Sequence, residues 1–315
     1  MPRKIIIDTD PGIDDAMAIL FALKSPEIEL VGLTTIFGNV YTDLATQNAL
    51  RLVEFAACPE LPVAHGAERP LVRPLGPTAD FVHGYDGLGN VNLPLPRGRA
   101  IEQPAAQFIV EKVMAKPGEI TLVPIGPLTN LALALALEPR LVENVAEVVL
   151  MGGAVGVSGN VNPAAEANII CDPHAADAVF TAGWPLTMVG LDVTVPTVMD
   201  DAYMAHLKAS GSPTAEFICQ ISRFYRDFHY EVHGLAGMHT HDPTAIAYVI
   251  DPTLFTTERG PVRVVTEGIA EGQTILDRRQ KWYHPTPWSN QPPVNVCVGV
   301  DSERLLDLYK QRITA

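Results

Sequence analysis

The sequence has few cysteines and few basic residues. Its four cysteines are scattered, with no C-x-x-C pair, at Cys58, Cys171, Cys219 and Cys297. This spacing argues against a zinc site or a disulfide framework and indicates a reducing compartment. Lys and Arg number 22 against 36 Asp and Glu, which gives a formal net charge of −14. A polyanion such as nucleic acid is therefore excluded as a plausible partner, and a neutral small molecule or one bound through a cation fits better.

Long apolar runs are also missing. No stretch of about 18 residues is free of charges and helix breakers, so we expect no membrane span. The first residues lead into a predicted strand without the apolar region of a signal peptide. We therefore expect a cytoplasmic protein. Hydrophobic residues nevertheless make up 47% of the chain, enough to bury a large core.

Predicted strands and helices alternate along the chain. The predicted strands are 4–8, 28–37, 120–126, 145–153, 185–194, 260–267 and 294–301, and the predicted helices include 14–24, 42–56, 128–137 and 302–313. Apolar strands that alternate with helices predict a mostly parallel central sheet flanked by helices, a Rossmann-like α/β fold. We assign 1–315 to one domain and interpret the Pro/Gly-rich stretches 62–98 and 283–293 as long loops.

Polar residues follow several of these strands. They are found at 8–10, 38–39, 124–126, 151–153 and 190–192. In open α/β sheets, ligands bind outside the carboxyl ends of the strands. We therefore expect these five segments to meet at one rim.

The first rim segment, "DTDPGIDD", carries Asp8, Asp10, Asp14 and Asp15. One or two aspartates at the start of a helix are explained by N-capping and the helix dipole, and we interpret Asp8 as structural. Three further carboxylates within six residues repel one another unless a cation neutralises them. The pattern therefore predicts a hard divalent cation, which prefers oxygen ligands.

Two other cation-binding motifs also contain closely spaced aspartates. A calcium loop of the EF-hand type that starts at Asp8 fails, because Ile13 and Ile19 occupy its required Gly and Glu positions. A Mg²⁺-dependent haloacid-dehalogenase-like phosphatase also begins with a strand and Asp-x-Asp. That reading does not need the Asp14-Asp15 pair, and it remains an alternative.

The motif "DTDPGIDDAMA" resembles the N-terminal signature of the nucleoside hydrolases, the inosine-uridine-preferring N-ribohydrolase family. Further blocks follow in the order of that family: "TTIFGNV", "VPIGPLTNLA", "VVLMGGA", "GNVNPAAEANIICDPHAA" and "THDPTAIAYVIDP". The resemblance covers about residues 3 to 310. It implies the nucleoside hydrolase fold, a homodimer or homotetramer, and hydrolysis of the N-glycosidic bond of a ribonucleoside to ribose and free base.

The resemblance also implies a cofactor and catalytic residues. One Ca²⁺ per subunit would be held by Asp10, Asp15, Asp242 and the main-chain carbonyl of Ile125. Asp10 would also be the general base for the attacking water, and His241 would contact the departing base.

Substrate contacts are implied for a further set of residues. Asp14, Asn39 and Asn168 are expected on the 2′- and 3′-hydroxyls, Asn160 and Glu166 on the 5′ side, and Met151 against the sugar. Each polar residue alone is equally explained by loop capping, and Met151 by core packing.

Base recognition is predicted for the segment 224–242, a helix and lid. Tyr225, His229 and His233 recur at i, i+4 and i+8 on one helical face, as a packed aromatic stripe or a wall beside the base. His83, in the glycine-rich loop 81–90, is expected to stack on the base. Pyrimidine-specific relatives tend to have Thr and Gln where this chain has Tyr225 and His229, so we expect broad or purine-tolerant specificity. A nucleoside-binding protein without turnover remains a non-enzymatic alternative.

Overall fold

The computed structural model describes residues 2–278 and 286–315. Within the second predicted Pro/Gly-rich loop, residues 283–285 lie outside the described part. The strands are β1 Arg3–Thr9, β2 Ile28–Thr35, β3 Val63–Ala64, β4 Ile120–Pro124, β5 Glu147–Met151, β6 Leu186–Val189, β7 Val198–Asp200, β8 Gly237–His239, β9 Phe255–Val264, β10 Thr274–Leu276 and β11 Pro293–Val300.

The helices cover both faces of the sheet. They are α1 Ile13–Leu23, α2 Thr42–Phe55, α3 Asp80–His83, α4 Ala105–Ala115, α5 Thr129–Leu137, α6 Leu141–Asn144, α7 Ala167–Cys171, α8 Pro173–Thr181, α9 Leu191–Thr194, α10 Asp201–Ala209, α11 Pro213–His233, α12 Asp242–Ile250 and α13 Ser302–Ile313, with a 3₁₀ turn at Pro252–Leu254. In the described ranges, no helix is both long enough and apolar enough to cross a membrane.

Nine of the described strands form one sheet in the order β10-β9-β11-β6-β5-β4-β1-β2-β3. The pairings from β11 to β3 are parallel, and β9 and β10 add two antiparallel strands at one edge. The predicted, mostly parallel α/β sheet is therefore confirmed. Strands β7 and β8 form a separate antiparallel pair.

The Ile5-Ile6-Ile7 run explains why β1 lies in the middle of the sheet. Ile5 and Ile7 pack into one buried cluster together with α1 and α12, whereas Ile6 packs into the cluster on the opposite face. Successive side chains of a strand point to opposite faces, so a continuous apolar run fits only a strand that is covered on both sides.

The parallel pairing brings the predicted rim segments together. β1 lies between β2 and β4, and Asp8 pairs in register with Thr34 and Pro124. The chain that follows each of these strands therefore emerges at the same edge of the sheet.

Three sequence predictions need correction. The predicted strand 185–194 is strand β6 followed, after Gly190, by helix α9, in which the Thr194 N–H bonds to the Gly190 carbonyl four residues earlier. The predicted strand 260–267 starts earlier, at Phe255, and ends at Val264. In the segment 224–242 the helix begins upstream at Pro213 and ends at His233, where Gly234 takes a left-handed conformation.

Candidate active site

Asp15 lies at the base of the rim and is held by several donors. These are the Thr9 hydroxyl at 2.5 Å, the N–H groups of Asp10 at 3.2 Å and Gly12 at 2.9 Å, and the Asn39 side-chain amide at 2.9 Å. The strand end, the turn before α1 and the segment after β2 are thus tied to one carboxylate. Charge-assisted hydrogen bonds of this kind fix its orientation.

Asp10 fits between two glycines. Its Oδ2 accepts the Asn39 N–H at 2.6 Å. A Cβ atom at Gly38 would lie 2.0 Å from that oxygen, and one at Gly126 would lie 2.4 Å from Oδ1. Neither position can carry a side chain unless Asp10 moves. Oδ1 is buried and has no hydrogen-bond partner among the described residues.

Three aspartates bring their carboxylates together at the rim. One oxygen from each of Asp14, Asp15 and Asp242 lies within 4.8 Å of the others, and the three residues are 7%, 0% and 3% exposed. Asp10 lies beside this group but is not a member of it. The structure therefore adds Asp14 to the carboxylates that face a common point, whereas the ligand role of Asp10 stays a prediction.

The electrostatics of the rim favour a cation. Burial raises the pKa of Asp14 to about 6, and burial together with the charge of Asp14 raises the pKa of Asp15 to about 6. Burial first, and neighbouring aspartates second, raise the pKa values of Asp10 and Asp242 well above the usual range. Desolvation and like charge both disfavour the ionised forms, which a bound cation would restore.

No lysine or arginine in the described part of the chain forms an ion pair with these four carboxylates. Among the described residues, the histidine in ion-pair distance of one of them is His83, whose Nδ1 lies 3.8 Å from Asp14 Oδ1. Burial lowers the pKa of His83 to about 4, so the ring is neutral at pH 7. An all-oxygen, buried and uncompensated set of carboxylates fits a hard divalent cation.

The carbonyl of Ile125 lies at the end of β4 on the same rim. It accepts a hydrogen bond from the Asn168 side-chain amide at 2.9 Å, and the same amide lies 3.2 Å from the Met151 carbonyl and 3.4 Å from the Met151 sulfur. A carbonyl oxygen has two lone pairs, so Ile125 can accept this bond and still face a cation. Met151 is buried in the core, in line with its packing interpretation.

Glu166 and Asn160 have capping roles in this structure. The Glu166 carboxylate accepts the N–H groups of Gly153 at 2.9 Å, Asn168 at 2.9 Å and Ile169 at 3.1 Å, and it caps α7. The Asn160 side chain accepts the Ala167 N–H at 3.0 Å. These bonds position α7, which carries Asn168. Contact of either residue with a substrate stays a prediction.

His241 precedes the rim carboxylate Asp242 and packs against other rings. Its Nδ1 lies 2.8 Å from the Thr194 hydroxyl, and its ring centre is 5.7 Å from that of His239. Burial and then the neighbouring histidines lower the pKa of His241 well below the usual range. The ring is therefore neutral at pH 7.

The predicted ring stripe is present on α11. Tyr225 and His229 are buried with ring centres 4.3 Å apart, whereas His233 is exposed and 5.8 Å from His229. Burial lowers the pKa of His229 to about 4, and its Nδ1 donates to the Tyr225 carbonyl at 2.8 Å.

His83 is the last residue of helix α3 rather than part of the loop that follows. Its Nδ1 accepts the Ile13 N–H at 3.1 Å, which satisfies one of the free donors at the start of α1. Its ring stacks on Tyr225 with centres 5.4 Å apart. The sequence did not indicate this anchoring role, because it joins residues 70 positions apart.

Several residues of the site were not predicted. Thr9 holds Asp15, Thr194 holds His241, and Asn130 donates to Asp8 at 2.8 Å. The signal for Thr9 was its place inside "DTD", between two aspartates. No local signal exists for Thr194 or Asn130, since each bonds to a residue far away in the sequence.

The fold and the rim together define an α/β protein with a cluster of buried carboxylates at the carboxyl ends of its parallel strands. The sequence matches the family described as inosine-uridine preferring nucleoside hydrolase over residues 5–307. The chain belongs to this family, and it is a hydrolase of the N-glycosidic bond of nucleosides.

Similar proteins support this assignment over the full length. The chain is 48% identical over 313 residues to a probable uridine nucleosidase 2 of Arabidopsis thaliana, covering 99% of this chain and 97% of that protein. A solved plant nucleoside hydrolase superposes with a TM-score of 0.98 at 45% identity and full coverage of both chains. A purine-preferring ribonucleoside hydrolase from Gardnerella vaginalis gives a TM-score of 0.92 at 36% identity, covering 99% of this chain and 98% of the other.

The resemblance seen in the sequence is thus confirmed. The two alternatives weighed there, a phosphatase and a binding protein without turnover, have no counterpart among these relatives. Asp8 is 1% exposed and its Oδ1 accepts both the Thr34 hydroxyl at 2.5 Å and the Asn130 amide, in agreement with its structural interpretation.

Proposed function

We propose that this protein is a Ca²⁺-dependent ribonucleoside hydrolase that accepts both uridine and purine nucleosides. The observation that carries the proposal is the rim of four buried carboxylates without a Lys or Arg partner in the described ranges. Such a set requires a cation, and its negative charge suits a reaction in which positive charge develops on a sugar.

The cation would be held by Asp10, Asp15, Asp242 and the carbonyl of Ile125, with Asp14 close enough to share it. Oxygen donors in this number favour Ca²⁺, which takes six to eight of them. Bound there, such an ion would supply Lewis-acid activation of the attacking water.

Asp10 acts as general base. The Asn39 N–H holds its Oδ2, so Oδ1, which has no protein partner in the described part of the chain, receives the proton of the attacking water. The remaining carboxylates stay ionised and stabilise the oxocarbenium-like charge of the ribosyl transition state.

Ribose is held by side chains around the same point. Asp14 Oδ1 is buried, has no hydrogen-bond partner among the described residues, and would accept a hydrogen bond from a ribose hydroxyl. Asn39 and Asn168 flank the carboxylates, while Met151 packs beside Asn168. Glu166 and Asn160 fix the segment that approaches the 5′ side. These remote contacts supply binding energy that orients the sugar.

The departing base is stabilised by a neutral His241. If Thr194 donates its hydroxyl to Nδ1, the imidazole proton resides on Nε2 and can be donated to the base. The low pKa of His241 means that the ring contributes a hydrogen bond and is not a standing imidazolium at pH 7.

The ring cluster supports the proposed specificity. Because Nδ1 of neutral His229 donates to the Tyr225 carbonyl, its Nε2 is left as an acceptor. Uracil and hypoxanthine both carry a ring N–H that such an acceptor can bind. Relatives named as uridine nucleosidases and as a purine-preferring hydrolase are both similar to this chain.

The test is ribose release from a panel of uridine, cytidine, inosine and adenosine. Wild type, Asp10→Asn and the exposed control Asp227→Asn are compared after chelation and after Ca²⁺ is returned. We expect release from uridine and inosine that requires calcium, persists in Asp227→Asn and falls at least about 100-fold in Asp10→Asn.

Release that is unaffected by chelation, or by Asp10→Asn in a folded protein, would contradict the mechanism. Turnover of pyrimidine nucleosides alone would contradict the specificity. A homodimer or homotetramer and a cytoplasmic location remain proposals that light scattering and fractionation of cells can test.

A further inference from the structure

A second group of possible metal ligands lies outside the active site. One nitrogen of His65 and one carboxylate oxygen each from Asp43 and Glu68 lie within 4.8 Å of one another. Asp43 is in the first turn of α2, and His65 and Glu68 follow β3. His65 is partly buried, whereas both acids are exposed.

The hydrogen bonds of Thr46 determine which nitrogen of His65 is available. The Thr46 hydroxyl donates its only proton to the Thr42 carbonyl at 2.8 Å. The same oxygen lies 2.7 Å from the Thr35 hydroxyl and 2.8 Å from His65 Nδ1; with its proton on the Thr42 carbonyl, it accepts from both, and Nδ1 is the donor. Nε2 therefore has a free lone pair in the neutral ring.

The Nε2 atom of His65 faces the carboxylate of Glu68. Glu68 Oε1 lies 3.4 Å from Nε2. This separation exceeds the 2.7–3.2 Å range typical of N–H···O hydrogen bonds. It matches the spacing of about 3.3 Å between two ligands of one tetrahedral zinc ion with bonds of 2.0–2.1 Å. A histidine fixed by donation from its other nitrogen is also the usual arrangement in metal sites.

We propose that His65, Glu68 and Asp43 form a second cation site that takes a divalent transition metal, with Zn²⁺ as the representative ion. An imidazole nitrogen among the ligands favours zinc and its neighbours over Ca²⁺ or Mg²⁺, which prefer oxygen alone. The site therefore differs in metal preference from the carboxylate rim, and it is independent of the proposed function.

The position of the site indicates a structural role. The metal would tie the start of α2 to the segment after β3, which is already joined to it by the Thr42 hydroxyl bond to the Ala67 carbonyl at 2.8 Å. The Ala67 N–H in turn bonds to Asn130, the residue that holds Asp8. A bound metal would thus stiffen the segment after β3, which is linked to Asp8 through Asn130.

The experiment is calorimetric titration of the intact protein with Zn²⁺ in saturating Ca²⁺, together with Co²⁺ absorption spectra. His65→Asn removes Nε2 but keeps an amide donor for Thr46, and Glu68→Gln removes one ligand charge. Glu60→Gln is the matched exposed control, and Asp242→Asn reports on zinc entering the active site.

We expect one zinc per chain that competes with Co²⁺ and shows the intense visible bands of tetrahedral cobalt. Affinity should fall at least tenfold in His65→Asn and Glu68→Gln but not in Glu60→Gln or Asp242→Asn. Absence of zinc binding would overturn the proposal and leave the His65–Glu68 contact as a simple surface pair. Zinc binding that survives His65→Asn, or disappears in Asp242→Asn, would overturn it equally.

Discussion

On the proposal that the rim carboxylates hold Ca²⁺, protons and the cation compete for them, so the stability of this protein should fall with rising pH without calcium and stay nearly constant with saturating calcium. Without calcium, burial holds the pKa of Asp14 at about 6, whereas an unfolded aspartate titrates near 3.9. Asp15, beside it, is raised to about 6 as well.

The magnitude follows from this gap. A difference of about two pH units corresponds to about 3 kcal/mol for one carboxyl. We use the value for one group, because Asp14 and Asp15 repel each other and lose their protons as a pair. For a chain of this size, 3 kcal/mol shifts the melting temperature by about 5 °C.

The pH dependence of the stability differs between the calcium-free and the calcium-loaded protein. Between pH 4 and 6 the calcium-free native chain retains a proton that the unfolded chain has released, so stability falls as pH rises through about 6. A bound Ca²⁺ would keep the rim deprotonated and offset this loss, so its stabilisation should grow as pH rises and level off above about pH 6. About half of the 3 kcal/mol is already lost at pH 5, so calcium should raise the melting temperature by about 2 °C at pH 5 and by about 5 °C at pH 7.5.

The assay is thermal unfolding followed by circular dichroism at pH 5, 6 and 7.5, with EDTA or with Ca²⁺. Asp242→Asn should reduce the calcium effect at pH 7.5, whereas Asp227→Asn, an exposed change of equal charge, should preserve it. A calcium effect of the same size at pH 5 and pH 7.5 would refute the reasoning.

Three further predictions concern single side chains. Gly126→Ala should lower kcat at least about 100-fold in a folded protein, because its Cβ would displace Asp10; steady-state kinetics with near wild-type values would contradict this. Asp8→Asn should retain ribose release within about tenfold, since Asp8 only accepts structural hydrogen bonds, and a loss as large as that of Asp10→Asn would show a direct role. Tyr309→Phe should leave the melting temperature unchanged or raise it by an amount worth about 1 kcal/mol, because the buried hydroxyl has no partner in the described ranges; calorimetry that shows a clear loss would reveal one.

The rim could be predicted from the sequence because its information is local. Ile5 to Ile7 predict a strand that is buried on both faces, and the aspartates that follow must then lie at its carboxyl end. The same rule placed Asn39 and Ile125 near Asp10. In the structure the Asn39 N–H bonds to Asp10. The Ile125 N–H bonds to the Asp8 carbonyl, and the next residue, Gly126, faces Asp10.

The remaining features depend on contacts between distant parts of the chain. "LDVT" is typical of a strand by its apolar and β-branched residues, but it is helical in the structure, where the Leu191 N–H bonds to the carbonyl of the distant Gly153. Asp192 lies in a predicted rim segment, yet its carboxylate is used by the N–H groups of Val155 and Gly156. His83 gains its role only where α3 meets the start of α1.

The rim carboxylates and the ring residues proposed to contact the base lie on different parts of the fold. Asp10 and Asp15 stand where the central strand meets α1, fixed by neighbours on both sides. Tyr225 and His229 are carried by α11, a helix that packs against α1 and the small β7–β8 pair and adds no strand to the main sheet. On the proposed role of Tyr225 and His229, substitutions on α11 would change which base is accepted and leave the rim carboxylates unaltered, so that one scaffold could serve relatives with different nucleoside preferences.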